Sequence, residues 1–190
     1  MRIKDLNKQE AIIEATLELV NEIGFASSSV SKIAKKAKVS PASIYIYYKN
    51  KEDLLVSTYI EIKKKMSIAL LKNHDDSKPL RDVFLTFWKN GFEFVRENYP
   101  LYQYSEQFGS SPFAELVNHD ELEKHFEPMI LILQKGIEQK IIKNVPFDIL
   151  AAFIFYPMIN LSSIKGSRNL ELSDTNIELA FNLAWDAIKL

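Results

Sequence analysis

Apolar residues recur every three or four positions along most of the 190-residue chain, and no stretch alternates regularly between apolar and polar residues. This spacing gathers apolar side chains on one face of an α-helix, whereas a half-buried strand needs alternation. The chain also contains only 5 glycines and 7 prolines. The pattern therefore predicts an all-α protein, with a first helix from about Lys8 to Ile23 that Gly24 ends.

Two short helices are predicted directly after Gly24, each preceded by a serine. Ser28 or Ser29 stands before the first of them, and Ser40 stands before the second, in which Pro41 takes the first helical position. A serine hydroxyl in such a place accepts a hydrogen bond from a backbone N–H that the helix itself leaves unpaired. These serines therefore mark where the two helices are predicted to begin.

A long fourth helix is predicted from Asn50, because Asp53 follows three residues later and completes a variant of the capping box. Larger helices with aromatic and aliphatic stripes come after it. Pro100, Gly109 and Pro112 are expected to break one intervening region into turns and short helices.

The capped fourth helix is predicted to lead from a three-helix domain, residues 1–51, into a larger domain of about nine helices, residues 52–190. A hydrophobic fraction of 47% supports a well-filled core, and the absence of cysteine excludes disulfides and thiolate metal sites. The amino terminus lacks the apolar segment of a secretory signal. The longest uncharged run, residues 149–164, is shorter than the roughly 20 residues of a membrane-spanning helix. These features predict a soluble, cytoplasmic protein without a cofactor.

Charge is distributed unevenly along the chain, although the net charge is only −1. Residues 1–51 hold nine basic and five acidic residues, while residues 52–190 hold fifteen basic and twenty acidic ones. Between Glu22 and Glu52 there are six lysines and no acid. A local positive field on an acidic protein is typical of a nucleic-acid contact surface, and the alternative is an ordinary solvated face.

Two short helices joined by a tight turn are what a helix-turn-helix requires, and the second of its helices enters the major groove of DNA. That helix needs small residues at its start, because its backbone must approach the base edges. The small residues at this position are Ser40, Pro41, Ala42 and Ser43.

Three tyrosines follow these small residues and are predicted to have two different roles. Tyr45 and Tyr47 can donate their hydroxyls to phosphate oxygens, and Lys51 adds positive charge at the start of the next helix. Tyr48 shares a helix face with Ile44 and is therefore predicted to pack in the core.

The stretch GFASSSVSKIAKKAKVSPASIYIYYKNKEDLL, residues 24–55, resembles the amino-terminal DNA-binding domain of TetR-type transcriptional regulators. The residues in register with the family pattern are Gly24, Phe25, Ser29, Ile33, Ala34, Ala37, Val39, Ser40, Tyr45, Tyr47, Lys51, Glu52 and Leu54. Ile46 departs from the pattern where the family often has Tyr, and Tyr48 departs where it usually has Phe. The remaining residues, about 135, resemble the family in helix count, length and a dimerisation-like tail.

The resemblance implies a regulator that contacts DNA through both short helices and the start of the fourth. The residues implied are Ser29, Ser31, Ser40, Pro41, Ala42, Ser43, Tyr45, Tyr47 and Lys51.

The chemistry of the reading helix adds an expectation about the operator. The helix has no Asn or Gln, and no arginine lies within thirty residues on either side, so the usual bidentate partners of adenine and guanine are missing. We therefore expect an A·T-rich operator, with Pro41 and Ala42 against thymine methyl groups and DNA shape as a further determinant. Lys32 or Lys36 is expected near a purine edge.

The apolar segment that begins at Phe147 is too hydrophobic for the surface of a monomer, because a helix apolar on every side must be covered on every side. With the last helix it is predicted to form half of a four-helix interface across a two-fold axis, as the resemblance implies. Pro157 is expected to kink it. The predicted interface residues are Phe147, Leu150, Phe153, Ile154, Ile177, Phe181, Ala184, Trp185 and Ile188. The alternative is a buried central helix of a monomer.

The middle helices are rich in aromatic residues, most of which are expected to fill the core. The large domain of the family typically holds a small-molecule cavity, so the resemblance implies an effector site, and large aromatics suit an apolar or planar effector. The candidate residues are Trp88, Phe92, Tyr102, Phe126 and Phe155, with Gln134 and Asn160 as polar contacts. The protein is then expected to be a repressor, because an effector that favours wrongly spaced reading helices weakens DNA binding.

Two alternative functions remain open at this point. The segment HDELEKHFE places His119 with Glu123, and Glu121 with His125, four residues apart, which a helical enzyme with an anionic substrate could use. The two pairs point from different faces and lack a third ligand, so we interpret the segment as a solvated helix start and predict no enzymatic activity. The other alternative is a DNA-binding protein that responds to no effector.

Overall fold

The computed structural model describes residues 6–163 and 171–190, and its regular structure there is helical, as the apolar spacing predicts. The helices are α1 Leu6–Ser27, α2 Val30–Lys36, α3 Pro41–Tyr47, α4 Lys51–Leu70, α5 Leu80–Glu97, α6 Tyr99–Gly109, α7 His119–Lys124, α8 Glu127–Glu138, α9 Phe147–Ile154, α10 Tyr156–Ser162 and α11 Asp174–Ile188, with a 3-10 helix at Ala114–Leu116. Within the described ranges, none of these helices is long and apolar enough to cross a membrane. Ile164, where the uncharged run ends, lies outside those ranges.

Gly24 interrupts α1 but does not end it, which corrects the predicted boundary. Its φ of 76° and ψ of 167° are not helical, and helical structure resumes beyond it as far as Ser27. Such a positive φ is accessible to glycine because it has no Cβ. The Ser28 hydroxyl donates a hydrogen bond to the Gly24 carbonyl at 2.7 Å, so this serine fixes the kink and does not cap α2.

The predicted helix caps are confirmed at α2 and α4. Ser29 precedes α2, and its hydroxyl accepts a hydrogen bond from the Lys32 N–H at 3.3 Å. Before α4, the Asn50 side chain accepts from the Asp53 N–H, and the Asp53 carboxylate accepts from the Lys49 N–H, both at 2.8 Å. This reciprocal arrangement satisfies two backbone donors and fixes where α4 starts.

The apolar segment from Phe147 forms two helices and not one kinked helix. α9 ends at Ile154, and α10 begins at Tyr156 with Pro157 in its first turn. Proline fits a first turn because its missing N–H would be unpaired there, whereas in a helix interior its ring clashes with the preceding turn. The break therefore falls just before the proline.

The chain divides into two compact units. Met1–Lys63 and Pro100–Leu122 form the first, and Lys64–Tyr99 and Glu123–Leu190 form the second. The segment Pro100–Leu122 thus belongs to the same unit as α1–α3, although it lies far along the chain. The division at residues 51 and 52 is one of function and stays a prediction.

The core of the first unit consists of two apolar clusters that share α1 and α4. The first cluster joins these helices to α2 and α3, and its most buried residues are Ile12, Ile33, Ala34, Ile44 and Leu54. The second cluster joins them to α6, and its most buried residues are Val20, Leu55, Ile62, Tyr104 and Phe108.

Tyr104 and Phe25 connect the second cluster to the end of α1. The Tyr104 hydroxyl donates a hydrogen bond to the Leu55 carbonyl at 2.9 Å, and its ring packs edge-on against Phe25 with 5.4 Å between centroids. A buried tyrosine is stabilised when its hydroxyl finds such an acceptor. Helix α6 is thereby attached to both α1 and α4.

The core of the second unit is built around α5. Its almost fully buried residues are Phe84, Phe87, Trp88 and Phe92. The Trp88 indole N–H donates to the Ile154 carbonyl at 2.7 Å, and its ring meets Phe181 edge-on at 5.6 Å. Gly91 lets α10 approach α5 closely, because a Cβ at that position would lie 2.1 Å from the Met158 sulfur.

Most of the predicted interface residues lie inside this core, which corrects their assignment to a surface. The residues buried within the chain are Leu150, Ile154, Ile177, Phe181, Ala184, Trp185 and Ile188, each at most 7% exposed. Phe147 and Phe153 are exposed. The apolar stripe that periodicity identifies on α11 is therefore its inward face, because the chain's own α5 and α9 already cover it.

Two buried tyrosines are expected to respond differently to replacement by phenylalanine. Tyr104→Phe removes the donor to the Leu55 carbonyl, so we expect the free energy of unfolding to fall by about 1 kcal/mol. The Tyr48 hydroxyl has no hydrogen-bond partner among the described residues, so Tyr48→Phe should leave that free energy unchanged or raise it. Urea unfolding at pH 7 measures both, and an equal loss in the two variants would contradict this account.

The same two variants are expected to differ from the wild type in alkali. Burial raises the pKa of Tyr48 to about 12, and burial also raises the pKa of Tyr104. Both tyrosines therefore favour folding below their ordinary pKa of 10.0, and this contribution is lost as the pH rises through the folded values. Each substitution should make the decline in stability above pH 10 shallower, whereas Tyr45→Phe, at an exposed position, should not.

Candidate nucleic-acid interface

Helices α2 and α3 meet through a tight turn. Lys38 occupies the left-handed region with φ 56°, and the Val39 N–H donates back to the Ala34 carbonyl at 2.9 Å. Ile33 and Ile44 face each other across the turn in the first apolar cluster. The two short helices are thus held at a fixed angle as a helix-turn-helix.

The start of α3 presents small residues to solvent, as predicted. Pro41 and Ala42 are exposed, and Ser43 is partly buried. The Ser40 hydroxyl accepts from the Ser43 N–H at 3.2 Å and lies 2.8 Å from the Ser43 hydroxyl. The cap therefore orders the edge of the helix that is predicted to approach the bases.

The tyrosines of α3 divide between solvent and core. Tyr45 is 56% exposed, as a phosphate contact requires, and Tyr48 is buried at 3% exposure, as predicted. Tyr47 is only partly exposed and packs against the first apolar cluster, with its ring 6.3 Å from that of Tyr48. Its predicted phosphate contact therefore depends on the hydroxyl alone, because the ring contributes to the core.

Ile46 is a candidate contact that the sequence argument missed. It lies beside Tyr45 and one turn after Ala42, and it is 43% exposed. An exposed β-branched residue on a reading helix can contact thymine methyl groups. Its spacing from Ala42 is the signal that could have identified it.

At the start of α2, three predicted contacts are exposed: Ser29, Ser31 and Lys32. The Ser29 side chain is the helix cap, and the Lys32 ammonium donates to the Ser27 carbonyl at 3.1 Å. A carbonyl partner leaves the charge of the lysine uncompensated. Lys32 therefore keeps its positive charge at this surface.

Lys36 is held by acidic residues of α1, which disfavours it as a reader of purines. Its ammonium lies 2.7 Å from a Glu22 oxygen and 3.1 Å from a Glu18 oxygen. The hydrogen bonds to Glu22 and then to Glu18 raise the pKa of Lys36. Since two carboxylates compensate its single charge, Lys36 adds little to the positive field.

Lys51 combines a structural contact with the predicted one. Its ammonium donates to the Phe25 carbonyl at 2.7 Å, which satisfies a carbonyl near the end of α1. Its backbone N–H lies at the amino terminus of α4, where helix dipole and unpaired donors favour anions. Lys51 therefore retains both its charge and its place for a phosphate contact.

The seven residues predicted to bind an effector do not form one group. Trp88 and Phe92 lie together in the core of the second unit, with ring centroids 5.9 Å apart. Phe126 and Phe155 are partly buried, and Gln134 and Asn160 are exposed. Tyr102 belongs to the first unit, whereas the others belong to the second.

Comparisons with known proteins agree with this geometry. The family model for bacterial regulatory proteins of the tetR family matches residues 12–58, and the model for the tetracyclin repressor-like carboxy-terminal domain matches residues 79–189. An HTH-type transcriptional regulator of Haemophilus influenzae is 27% identical over 191 residues, covering all of both chains. The fatty acid metabolism regulator protein of Bacillus subtilis is 44% identical over 71 residues, 37% of this chain and 35% of that one.

A solved structure has a similar fold over the whole length. The TetR family transcription regulator from Marinobacter aquaeolei superposes with a TM-score of 0.86 at 35% identity, covering 100% of this chain and 99% of that one.

Lys51 and Lys36 are expected to have different effects on the salt dependence of DNA binding. Lys51→Ala should reduce the slope of log affinity against log salt by about 0.9, the value of one phosphate contact. Lys36→Ala should leave the slope unchanged, since Glu18 and Glu22 already compensate that charge. Fluorescence anisotropy with a labelled duplex measures both, and Lys51→Arg is the control that keeps the charge. Equal slopes for Lys51→Ala and the wild type would disprove the contact.

Proposed function

The chain belongs to the TetR family of bacterial transcriptional regulators, and from this premise we propose that it is a repressor that a small, largely apolar or aromatic effector releases from its operator. As a member of that family it is a DNA-binding transcriptional regulator. The observation that carries the proposal is the start of α3, where an ordered serine cap presents exposed small residues beside a lysine-rich turn.

We propose that the operator is rich in A·T pairs and two-fold symmetric. The exposed side chains of α3 are Pro41, Ala42, Tyr45 and Ile46. Three of the four are apolar and suit thymine methyl groups, and none supplies the paired donors that recognise guanine. Phosphate contacts from Ser29, Ser31, Tyr47 and Lys51 would position the helix without selecting sequence.

A homodimer is proposed from the outer faces of α9, α10 and α11. The exposed apolar residues there are Phe147, Ile149, Phe153, Tyr156, Leu179 and Leu183. They replace the buried residues first predicted for this interface, and Leu183, at 75%, is the most exposed. A two-fold dimer would space its reading helices by one DNA turn, roughly 34–36 Å, or a little more.

Release by an effector follows from linkage. A ligand that binds better to a dimer with wrongly spaced reading helices lowers DNA affinity by the same factor by which DNA lowers its own affinity. The aromatic residues of the large domain support an apolar or planar ligand. Trp88 and Phe92, being buried in the core, would contact it only if their packing opens.

A second candidate is a DNA-binding protein without an effector. The dense packing of Trp88 against Phe181 and Ile154 favours this alternative, because it leaves those side chains no free surface. Cytoplasmic location is proposed for either candidate, since both act on chromosomal DNA. The relatives compared are transcriptional regulators, which supports a role without catalysis.

Selection of binding sites from a random DNA library is expected to yield palindromes with A·T-rich half-sites. The physical reason is the shortage of guanine-recognising side chains on α3. Ile46→Ala should relax the preference for thymine at one position per half-site, at about 1–3 kcal/mol. GC-rich half-sites, or an unchanged preference in the variant, would oppose this proposal.

Leu183→Asp is expected to convert the dimer to a monomer, because it puts a charge into the apolar contact between subunits. Leu116→Asp is the matched control, since Leu116 is similarly exposed but lies in the first unit. Light scattering should give about twice 21.9 kDa for the wild type and the control, and 21.9 kDa for Leu183→Asp. A wild-type mass of 21.9 kDa would support the monomer alternative.

A further inference from the structure

Lys63, on α4, is a lysine whose charge no acidic group compensates. Its ammonium lies over the ring of Tyr59, 5.2 Å from the centroid. Within the described ranges, no carboxylate lies within ion-pair distance of it. One turn away on either side, α4 carries Tyr59, Ile60, Met66 and Ser67, none of which is acidic.

Other lysines of the protein have polar partners. Those paired with carboxylates include Lys36, Lys89 and Lys189, and those bonded to backbone carbonyls include Lys32, Lys51 and Lys143. A cation on an aromatic face gains about 0.5–2 kcal/mol, less than the usual cost of burying a charge without a partner. Lys63 therefore occupies an unfavourable environment in the unliganded protein.

The surroundings of Lys63 are crowded but still accessible. Its side chain keeps some exposed surface, and yet burial lowers the pKa of its ammonium below the ordinary value. An anion that reached the ammonium would interact through a medium of lower dielectric than water, where attraction is stronger.

A rigid aromatic pair supports the position of Lys63. The Tyr59 ring stacks on Phe108 of α6 with centroids 4.3 Å apart and an interplanar angle of 14°. Phe108 is fully buried in the second apolar cluster of the first unit. The aromatic face under the ammonium is therefore fixed, so that the cation is held in place without a protein counter-ion.

We propose that Lys63 binds the anionic group, a carboxylate or a phosphate, of the effector. The inference rests on the proposed effector-released repressor and refines its ligand, from an apolar molecule to one that carries an oxyanion. The oxyanion would supply the counter-charge that the described chain lacks, with the Tyr59 ring beneath the ammonium.

The test compares acids with their uncharged amides by titration calorimetry on the full-length protein. The pairs are benzoate with benzamide and laurate with lauramide, and phenyl phosphate and dodecyl phosphate form a separate arm. We expect at least one anion to bind at least tenfold more tightly than its neutral counterpart, or than the amide of matching body for a phosphate, as a charged hydrogen bond requires. The arm that binds identifies the oxyanion.

Variants of α4 assign this preference to Lys63. Lys63→Met should abolish the preference for the anion and leave amide binding unchanged, while Lys63→Arg should retain it. Lys65→Met is the matched control, because it removes the same charge from an exposed position on the same helix. Anion affinity that persists in Lys63→Met, or that falls equally in Lys65→Met, overturns the inference.

The remaining outcomes separate this inference from the proposed function. An amide that binds as tightly as its acid and releases DNA overturns the role of Lys63 but supports a repressor with a neutral effector. If none of the anions binds more tightly than about 1 mM, the inference is also rejected. Operator binding measured in parallel then shows whether the DNA-binding role stands without it.

Discussion

The sharing of α4 between two apolar clusters is the constraint on which the DNA-reading unit depends. Leu54 and Leu55 are adjacent and both fully buried, but Leu54 lies in the cluster of α1–α3 and Leu55 lies in the cluster with α6. A three-helix segment of about fifty residues buries too little surface to be strongly stable alone. The helix-turn-helix therefore depends on the segment Pro100–Leu122, which completes the second cluster. This explains why the compact unit extends beyond the predicted boundary at residues 51 and 52.

Charge on the reading surface is sorted by partner. Glu18 and Glu22 of α1 compensate Lys36, whereas Lys32 and Lys51 bond only to carbonyls and keep their charge. The count of six lysines between Glu22 and Glu52 therefore overstates the field that DNA meets. Sequence counts include every lysine, but only geometry shows which of them are paired across helices. The remaining charges flank α3, as expected of contacts that position a helix on the phosphate backbone.

Local interactions explain what could be predicted from sequence. The caps at Ser40 and Asn50, the turn before α3 and the burial of Tyr48 depend on residues within a few positions of each other. The faces of α9 and α11 depend instead on which distant helix covers them. α9 carries apolar residues on every side, so periodicity cannot distinguish Leu150, which is buried, from Phe153, which is exposed. Effector contacts failed to converge for the same reason, because aromatic spacing is equally typical of a core.

One helix carries both the predicted phosphate contact and the proposed anion site. Lys51 begins α4, and Lys63 follows twelve residues later, about 18 Å along the helix axis. Between them, Leu54 and Leu55 hold the helix in two cores, and Tyr104 bonds to the Leu55 carbonyl. A packed helix moves as a unit rather than bending freely, because its neighbours fill the space around it. An anion at Lys63 that shifts α4 against α6 must therefore alter the position of Lys51 as well, and the two sites would be linked through a single rigid element.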